Sequence, residues 1–428
     1  MTQPTLLIIT HDYPPIRSAG TERILRFAQH LPDFGYRPIV LTTGRYGTLA
    51  DDVEQGIFRA GDLVHSLFGM LRRGKEQDVP PEQRVLAATV AGGGLLARLR
   101  DGLMVPDTKL GWLLPAVQVG RRILAEQRPA LIFSSSPPET AHLIAGRLSR
   151  AGNLPWVADL RDGWVFEPPN ASIRQGPVRG RLEARLEQSM VRQARQVITA
   201  TDPLAADLAR RYPQSAARFA TISNGYEESE FAGLARQRRT DGHFLLTYTG
   251  SLSASREGTD PAPFFQGLAL FCQAHPDSPL RLRVVGNITE TEQALAPRWN
   301  VDEWVTFLPP VSRQAAHQHQ LDADALLLIT APGQRTVASL KLFEYIRAGM
   351  PIFALARDNA AAAIVEQYDL GVTVSPTDAP AIAAALERFM ARCAQGEGWP
   401  GFAAAQPLYS RRQLTGQLAG IFDQILGP

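Results

Sequence analysis

Ala325-Leu326-Leu327-Leu328-Ile329 is a short apolar run. It is followed by Leu340-Lys341-Leu342-Phe343-Glu344-Tyr345-Ile346-Arg347-Ala348, a helical stretch, and then by Pro351-Ile352-Phe353-Ala354-Leu355, a second apolar run. Runs with no polar alternation suit strands buried on both faces, and a helix between two of them is the connection that parallel strands require. The rhythm extends in both directions. It predicts strands near 244–249, 281–285, 304–308 and 371–374, with helices near 261–274, 312–320, 359–367 and 378–393. Before the polar stretch 227–241 the pattern runs once already: strands near 5–10, 38–42, 130–134, 155–159, 196–199 and 218–221, with helices near 21–34, 112–127, 138–151, 178–194 and 203–211. The fold class is α/β, with two doubly wound, Rossmann-like domains.

Size agrees with that reading. A chain of 428 residues is two to three times the usual length of one domain, and 45% hydrophobic with 20% charged residues is globular composition. The expected domains are 1–224 and 225–408, and the helical spacing of 409–428 suggests a last helix that needs a surface to lie on. Pro400 to Pro407 reads as a loop. Between residues 45 and 110 the strand rhythm stops, and this segment is expected to be an insertion with helices.

Charge and cysteine content exclude several classes. The 44 Lys and Arg against 42 Asp and Glu leave +2, too balanced for a broad nucleic-acid-binding face. Cys272 and Cys393 alone make neither a disulfide framework nor a thiolate cluster, which fits a reducing cytoplasm. No signal peptide or spanning segment is expected. Basic and apolar residues alternate within Leu63 to Lys75 and Val85 to Arg100, which suggests peripheral contact with the inner face of a membrane.

Ligands of open parallel sheets bind beyond the carboxyl ends of the strands, so the candidate chemistry lies in the loops there. Gly20 opens a helix where backbone N–H groups favour an anion. Ser134 to Pro138 leads into a helix bearing His142, and Arg161 and Asp162 follow another strand. Gly250 and Arg256 follow a strand in the second half, and Gly286 ends the next. Ser339 begins the helix carrying Lys341 and Glu344, three residues apart on one face. A lysine in a first turn opposes the helix dipole unless it holds an anion.

In this order the loops resemble the GT-B glycosyltransferases of glycosyltransferase family 4, which are retaining and nucleotide-sugar dependent. The likeness rests on Tyr13-Pro14-Pro15 to Arg23, Val105-Pro106-Asp107 to Trp112, Ser134 to Pro138, Asp159 to Trp164, Tyr248 to Leu252, Ser339 to Tyr345 and Ala348 to Ile352. The resemblance implies two domains facing a cleft, with the donor on 225–408 and the acceptor, a glycan or a lipid-linked sugar, on 1–224. It implies Gly20 near the donor diphosphate, Arg256 and Lys341 neutralising it and Glu344 on the ribose. The final helix would cross back to the first domain.

Two positions depart from the family pattern. Thr336 stands where many members carry a glutamate near the sugar. Arg161-Asp162 stands where many carry a histidine, so the polar contacts to the transferred sugar fall to Arg161, Asp162 or His142. No metal is required, because the cationic side chains replace it at the diphosphate, and Asp322-Ala323-Asp324 straddles a helix end. The rival readings are a nucleotide-sugar 2-epimerase of the same fold, a phosphorylase-like or synthase enzyme acting on soluble sugars, and a non-catalytic partner of another transferase.

Overall fold

The structure is a computed structural model. It describes residues 3–16, 19–44, 50–63, 104–167, 176–237, 239–252, 258–395 and 398–427. The chain divides into two units, one made of Met1–Ile222 with Thr415–Pro428 and the other of Ser223–Leu414.

The first unit holds a seven-stranded sheet: β1 (Thr5–Ile9), β2 (Arg37–Thr43), β3 (Ile57–Ala60), β4 (Leu131–Ser136), β5 (Trp156–Leu160), β6 (Gln196–Thr199) and β7 (Phe219–Thr221). The strands lie in the order β3-β2-β1-β4-β5-β6-β7, with every pairing parallel. Helices α1 (Ala19–His30), α2 (Leu113–Gln127), α3 (Thr140–Gly152), α4 (Pro177–Gln193) and α5 (Asp202–Arg211) connect them. Every residue of β1, β4 and β5 is buried, the apolar ones in the core and the polar Ser134, Ser135, Ser136 and Asp159 at or near the carboxyl ends of β4 and β5.

The second unit repeats the scheme with six parallel strands, β8 (Phe244–Thr249), β9 (Leu280–Val285), β10 (Val305–Leu308), β11 (Ala325–Ile329), β12 (Ile352–Leu355) and β13 (Gly371–Val374), ordered β10-β9-β8-β11-β12-β13. Its helices are α6 (Ala262–Ala274), the short α7 (Glu290–Gln293) and α8 (Leu295–Arg298), α9 (Arg313–Leu321), α10 (Leu340–Ala348), α11 (Ala360–Gln367), α12 (Ala379–Ala394) and α13 (Gly401–Leu408). In each sheet the winding reverses beside the first strand, between β1 and β4 and between β8 and β11. That reversal opens a crevice at the carboxyl ends of the strands.

Two expectations need correction. The segment 45–110 is not purely a helical insertion, because Ile57–Ala60 forms the edge strand β3, paired in register with Val40–Thr43. A four-residue edge strand gives too short an apolar signal to stand out among polar neighbours. Pro400 to Pro407 is helix α13 rather than loop, with Pro407 tolerated in its last turn. The helical content proposed for 64–103 lies outside the described residues.

Helix α14 (Arg411–Leu426) carries the chain back to the first unit. Within the second unit, Tyr226 N–H donates to Tyr409 O at 3.0 Å and Arg411 N–H to Tyr226 O at 2.9 Å, so both crossing strands are pinned side by side. On the first unit, Phe422 is fully buried, with its ring 5.6 Å from Tyr36 and 5.8 Å from Phe133. The Tyr36 hydroxyl donates to Asp423 at 2.5 Å.

Truncating Phe422→Ala leaves a cavity that cannot collapse between two aromatic rings. It should cost about 3–5 kcal/mol of first-unit stability. Urea unfolding followed by proteolysis of each unit checks this; a loss below about 1 kcal/mol would mean the helix is not docked there.

Candidate functional site

The reversal points of the two sheets carry corresponding helices, α3 after β4 and α10 after β11, and they end differently. In the first unit the helix N-terminus is filled by the chain itself. The Asp107 carboxylate accepts from Thr140 N–H at 2.8 Å and from the Thr140 hydroxyl at 3.0 Å. In the second unit Ser339 is the N-cap of α10, yet its side chain makes no capping bond and its Oγ is buried without a partner. Unfilled donors at a helix N-terminus make a site for an anion.

Lys341 sits in that open first turn. Its Nζ donates to the Tyr248 hydroxyl at 2.9 Å and lies 4.7 Å from the centre of the Tyr248 ring, which places it across the crevice at the end of β8. Burial pushes the ammonium pKa down to about 8, against the opposing pull of Glu344. Burial also raises the pKa of Tyr248, which stays a phenol and donates to Ser251 O at 2.5 Å.

Glycines make room for this side chain. A Cβ on Gly250, which has φ +111°, would lie 2.7 Å from Lys341 Cε and 3.0 Å from Nζ. A Cβ on Gly286 would lie 2.2 Å from Gly250 O, so the backbones at the ends of β8 and β9 touch.

One turn beyond Lys341, Glu344 faces a polar stripe of α9 that the sequence reading missed. Gln320 Nε2 donates to Glu344 Oε2 at 3.2 Å, Arg313 Nη2 lies 3.4 Å from Oε1, and His317 Nε2 lies 3.7 Å from it. Burial alone would raise the carboxyl pKa, but His317, Arg313 and Gln320 outweigh it and hold Glu344 ionised. The spacing 313, 317, 320 is a helical face, and that was its only signal in the sequence. The ring of His317 stacks on Phe231 at 4.2 Å.

In the first unit Gly20 and Arg161 meet. A Cβ on Gly20 would lie 1.5 Å from Arg161 Nη1, so only glycine admits the guanidinium against the start of α1. Arg161 Nε donates to Ser136 O at 2.9 Å and Nη2 donates to Pro137 O, while Nη1 is buried with no partner. Asp162 follows it, half-buried.

His142 is placed differently from the expectation that it reaches a sugar. It is buried, its Nδ1 and Nε2 each lie 2.8 Å from a serine hydroxyl, Ser134 and Ser136, and burial pushes its pKa down to about 3. Both ring nitrogens are engaged with the strand that carries the loop, so the residue supports Ser136 rather than facing a ligand. Asp159 is likewise internal, bonded to Arg23 Nη2 at 2.8 Å and to the Ser135 hydroxyl at 2.7 Å.

Thr336 is buried in the loop before Ser339. Arg256 lies outside the described residues. The carboxylates of the Asp322-Ala323-Asp324 triplet are taken by the chain: Asp322 accepts from Gln237 N–H and Gln318, and Asp324 from Leu245 N–H and Arg236.

The sequence matches the Glycosyl transferase 4-like domain over residues 18–225 and the Glycosyl transferases group 1 family over 243–392. The chain belongs to the GT-B glycosyltransferases of family-4-like type. Glycosyl transfer is therefore its general activity. No curated protein matches the sequence.

Among solved structures this glycosyltransferase is similar to sucrose-phosphate synthase from Thermosynechococcus elongatus, at 15% identity, 99% of each chain and TM-score 0.65. WaaG, a glycosyltransferase involved in lipopolysaccharide biosynthesis, shares 17% identity over 97% of this chain and 99% of its own, with TM-score 0.60. Anabaena HepE, solved in complex with UDP and glucose, shares 14% over 98% and 100%, with TM-score 0.61. At these identities the likeness is one of fold.

Gly250→Ala should displace Lys341 and strain a backbone at φ +111°. Affinity for a nucleoside diphosphate should fall about tenfold or more in calorimetry while the secondary structure is kept; an unchanged affinity would separate Lys341 from the site.

Proposed function

We propose that this glycosyltransferase moves a hexosyl group, with retention of configuration, from a nucleotide-diphosphate sugar to a glycan or lipid-linked acceptor in bacterial surface polysaccharide or glycolipid biosynthesis. It would act in the cytoplasm at the inner face of the membrane. The observation that carries the reading is the pairing of an uncapped α10 N-terminus with Lys341, set against the self-filled terminus of α3. Bound UDP in the similar HepE structure supports a nucleotide of this class.

In this reading Lys341, the Ser339 hydroxyl and the first-turn N–H groups take the diphosphate, and the family resemblance adds the charge of Arg256. Glu344 accepts the ribose hydroxyls, for which an ionised carboxylate is suited. The bond from the anomeric carbon to the phosphate oxygen breaks, and the acceptor oxygen bonds to that carbon on the same face. The acceptor proton passes to the leaving phosphate. Negative charge grows on that phosphate in the transition state, so fixed cations and helix N–H groups lower the barrier without a metal. Gly20 attends the diphosphate, and Arg161 and Asp162 attend the transferred sugar.

Lys341→Ala should lower both donor affinity and kcat by about tenfold or more, since a charge-assisted bond to phosphate contributes about 1.5–3 kcal/mol. Glu344→Gln should weaken binding with less effect on kcat, because the ribose does not change charge. If Lys341→Ala keeps both within about twofold, the site is misassigned.

Turnover should also persist in EDTA. Loss that Mg²⁺ or Mn²⁺ restores would contradict the metal-free reading.

A further inference from the structure

The chain leaves β1 through His11 and Asp12, whose backbone is tied down by its neighbours. The Thr42 hydroxyl donates to His11 O at 2.8 Å, Thr43 N–H donates to the same oxygen at 3.2 Å, and the Thr10 hydroxyl donates to Asp12 O at 3.3 Å. The His11 imidazole is buried against Trp112, with ring centres 5.3 Å apart and planes nearly perpendicular. Its Nδ1 lies 2.7 Å from Asp12 Oδ1, while Nε2 is buried with no hydrogen-bond partner. Burial alone would raise the Asp12 pKa, but the bond from His11 and the charges of His11, Arg161 and Lys109 outweigh it and hold the carboxyl ionised. An ionised carboxylate can only accept, so Nδ1 carries the proton.

Asp12 is held but not consumed. Its side chain is 36% exposed against 2% for His11, and Oδ2 makes no hydrogen bond among the described residues. A carboxylate that serves only the fold spends both oxygens, as Asp107 and Asp159 do in the same unit. Arg161, whose charge reaches Asp12, forms no ion pair with it among the described residues, because its Nε and Nη2 are spent on Ser136 O and Pro137 O. The open oxygen therefore stands among fixed charges of both signs, and these select its ligand. A phosphate or carboxylate meeting Oδ2 is repelled at contact distance, and an ammonium is repelled by Arg161 and Lys109. A neutral hydroxyl donates to the oxygen with neither penalty.

We propose that Asp12 binds a hydroxyl of a neutral sugar residue at the end of the acceptor, with His11 as the positioning residue that aims the carboxylate. The inference rests on the proposed reading, in which Arg161 attends the transferred sugar. The two sugars must meet for transfer, so the open hydroxyl-binding group close to Arg161 belongs to the acceptor. It narrows that acceptor to one whose terminal residue is an uncharged sugar, rather than a phosphorylated sugar or a uronic acid.

Saturation-transfer NMR titration of the full chain tests it, with the methyl glycosides of glucose, galactose, mannose and N-acetylglucosamine and with methyl glucuronide and methyl galacturonide. A neutral glycoside should bind wild type, about tenfold or more tighter than the uronides. Asp12→Ala should weaken it about tenfold, the loss expected of one hydrogen bond to a charged group. Monodeoxy analogues identify the hydroxyl: its removal should weaken wild type about tenfold and Asp12→Ala hardly at all. His11→Phe should weaken glycoside binding severalfold, and His11→Asn, which restores a donor where Nδ1 stood, should recover it. Every variant should stay folded and bind UDP, GDP or ADP as wild type does. A chain that binds the glycoside but none of these nucleotides fails the donor reading and keeps this one. A wild type that binds no neutral glycoside, uronides that bind as tightly, or an Asp12→Ala variant that binds unchanged overturns the inference. So does a deoxy penalty that persists in Asp12→Ala.

Discussion

A lysine in the first turn of a helix stands against the helix's own dipole, at a cost of a few tenths to about 1 kcal/mol. In the second unit that lysine is also largely withdrawn from water, which costs it part of its protonation. The arrangement holds because the surroundings are shaped around it. Gly250 leaves room for its stem, Gly286 lets two strand ends touch beneath it, and Tyr248 offers an oxygen lone pair and a ring face. An arriving diphosphate would reverse the sign of the electrostatics, turning the unfavourable lysine and the uncapped N–H groups into one anion site. The rest of the proposed donor side follows: α9 turns Arg313, His317 and Gln320 toward Glu344 so that a carboxylate stays ionised one turn further along.

The first unit uses its buried polar groups differently. Arg23 and Asp159, both fully buried, tie α1 to β5. Ser134, Ser135 and Ser136 are spent on His142, Trp156 and Asp159. This internal satisfaction fixes the loop from which Arg161 arches over β4 to Gly20. Buried charge of this kind stabilises little by itself, but losing one partner would strand the other. Its consequence is a rigid platform at the end of the sheet, on which the Arg161 Nη1, like His11 Nε2 and Thr201 Oγ1, is buried without a hydrogen-bond partner.

Much of this was legible in the sequence because unbroken apolar runs and helical periodicity report burial directly. Every strand read from such a run is present. β3 escaped because Ile57–Ala60 is a short edge strand in a polar context, and Pro400 to Pro407 misled because proline can close a helix as well as break it. In the candidate site, the placement of Lys341 and Glu344 one turn apart on α10 followed from spacing alone. What spacing could not show is which polar residues are consumed internally: His142, Asp159 and Asp107 look as chemical as Arg161 until their partners across the fold are known. The α9 stripe was hidden because its target, Glu344, lies on another helix.

The central claim is that the Lys341 ammonium, at the open end of α10, holds a diphosphate. Calorimetric titration of a nucleoside diphosphate across the pH range from about 7 to 9 tests it most directly. Only the protonated lysine binds well, and bound phosphate would raise its pKa. Affinity should therefore be flat below the free-site value of about 8 and fall about tenfold per pH unit above it. The corresponding nucleoside monophosphate should bind far more weakly throughout. A pH-independent affinity, or equal binding of mono- and diphosphate, would contradict the account.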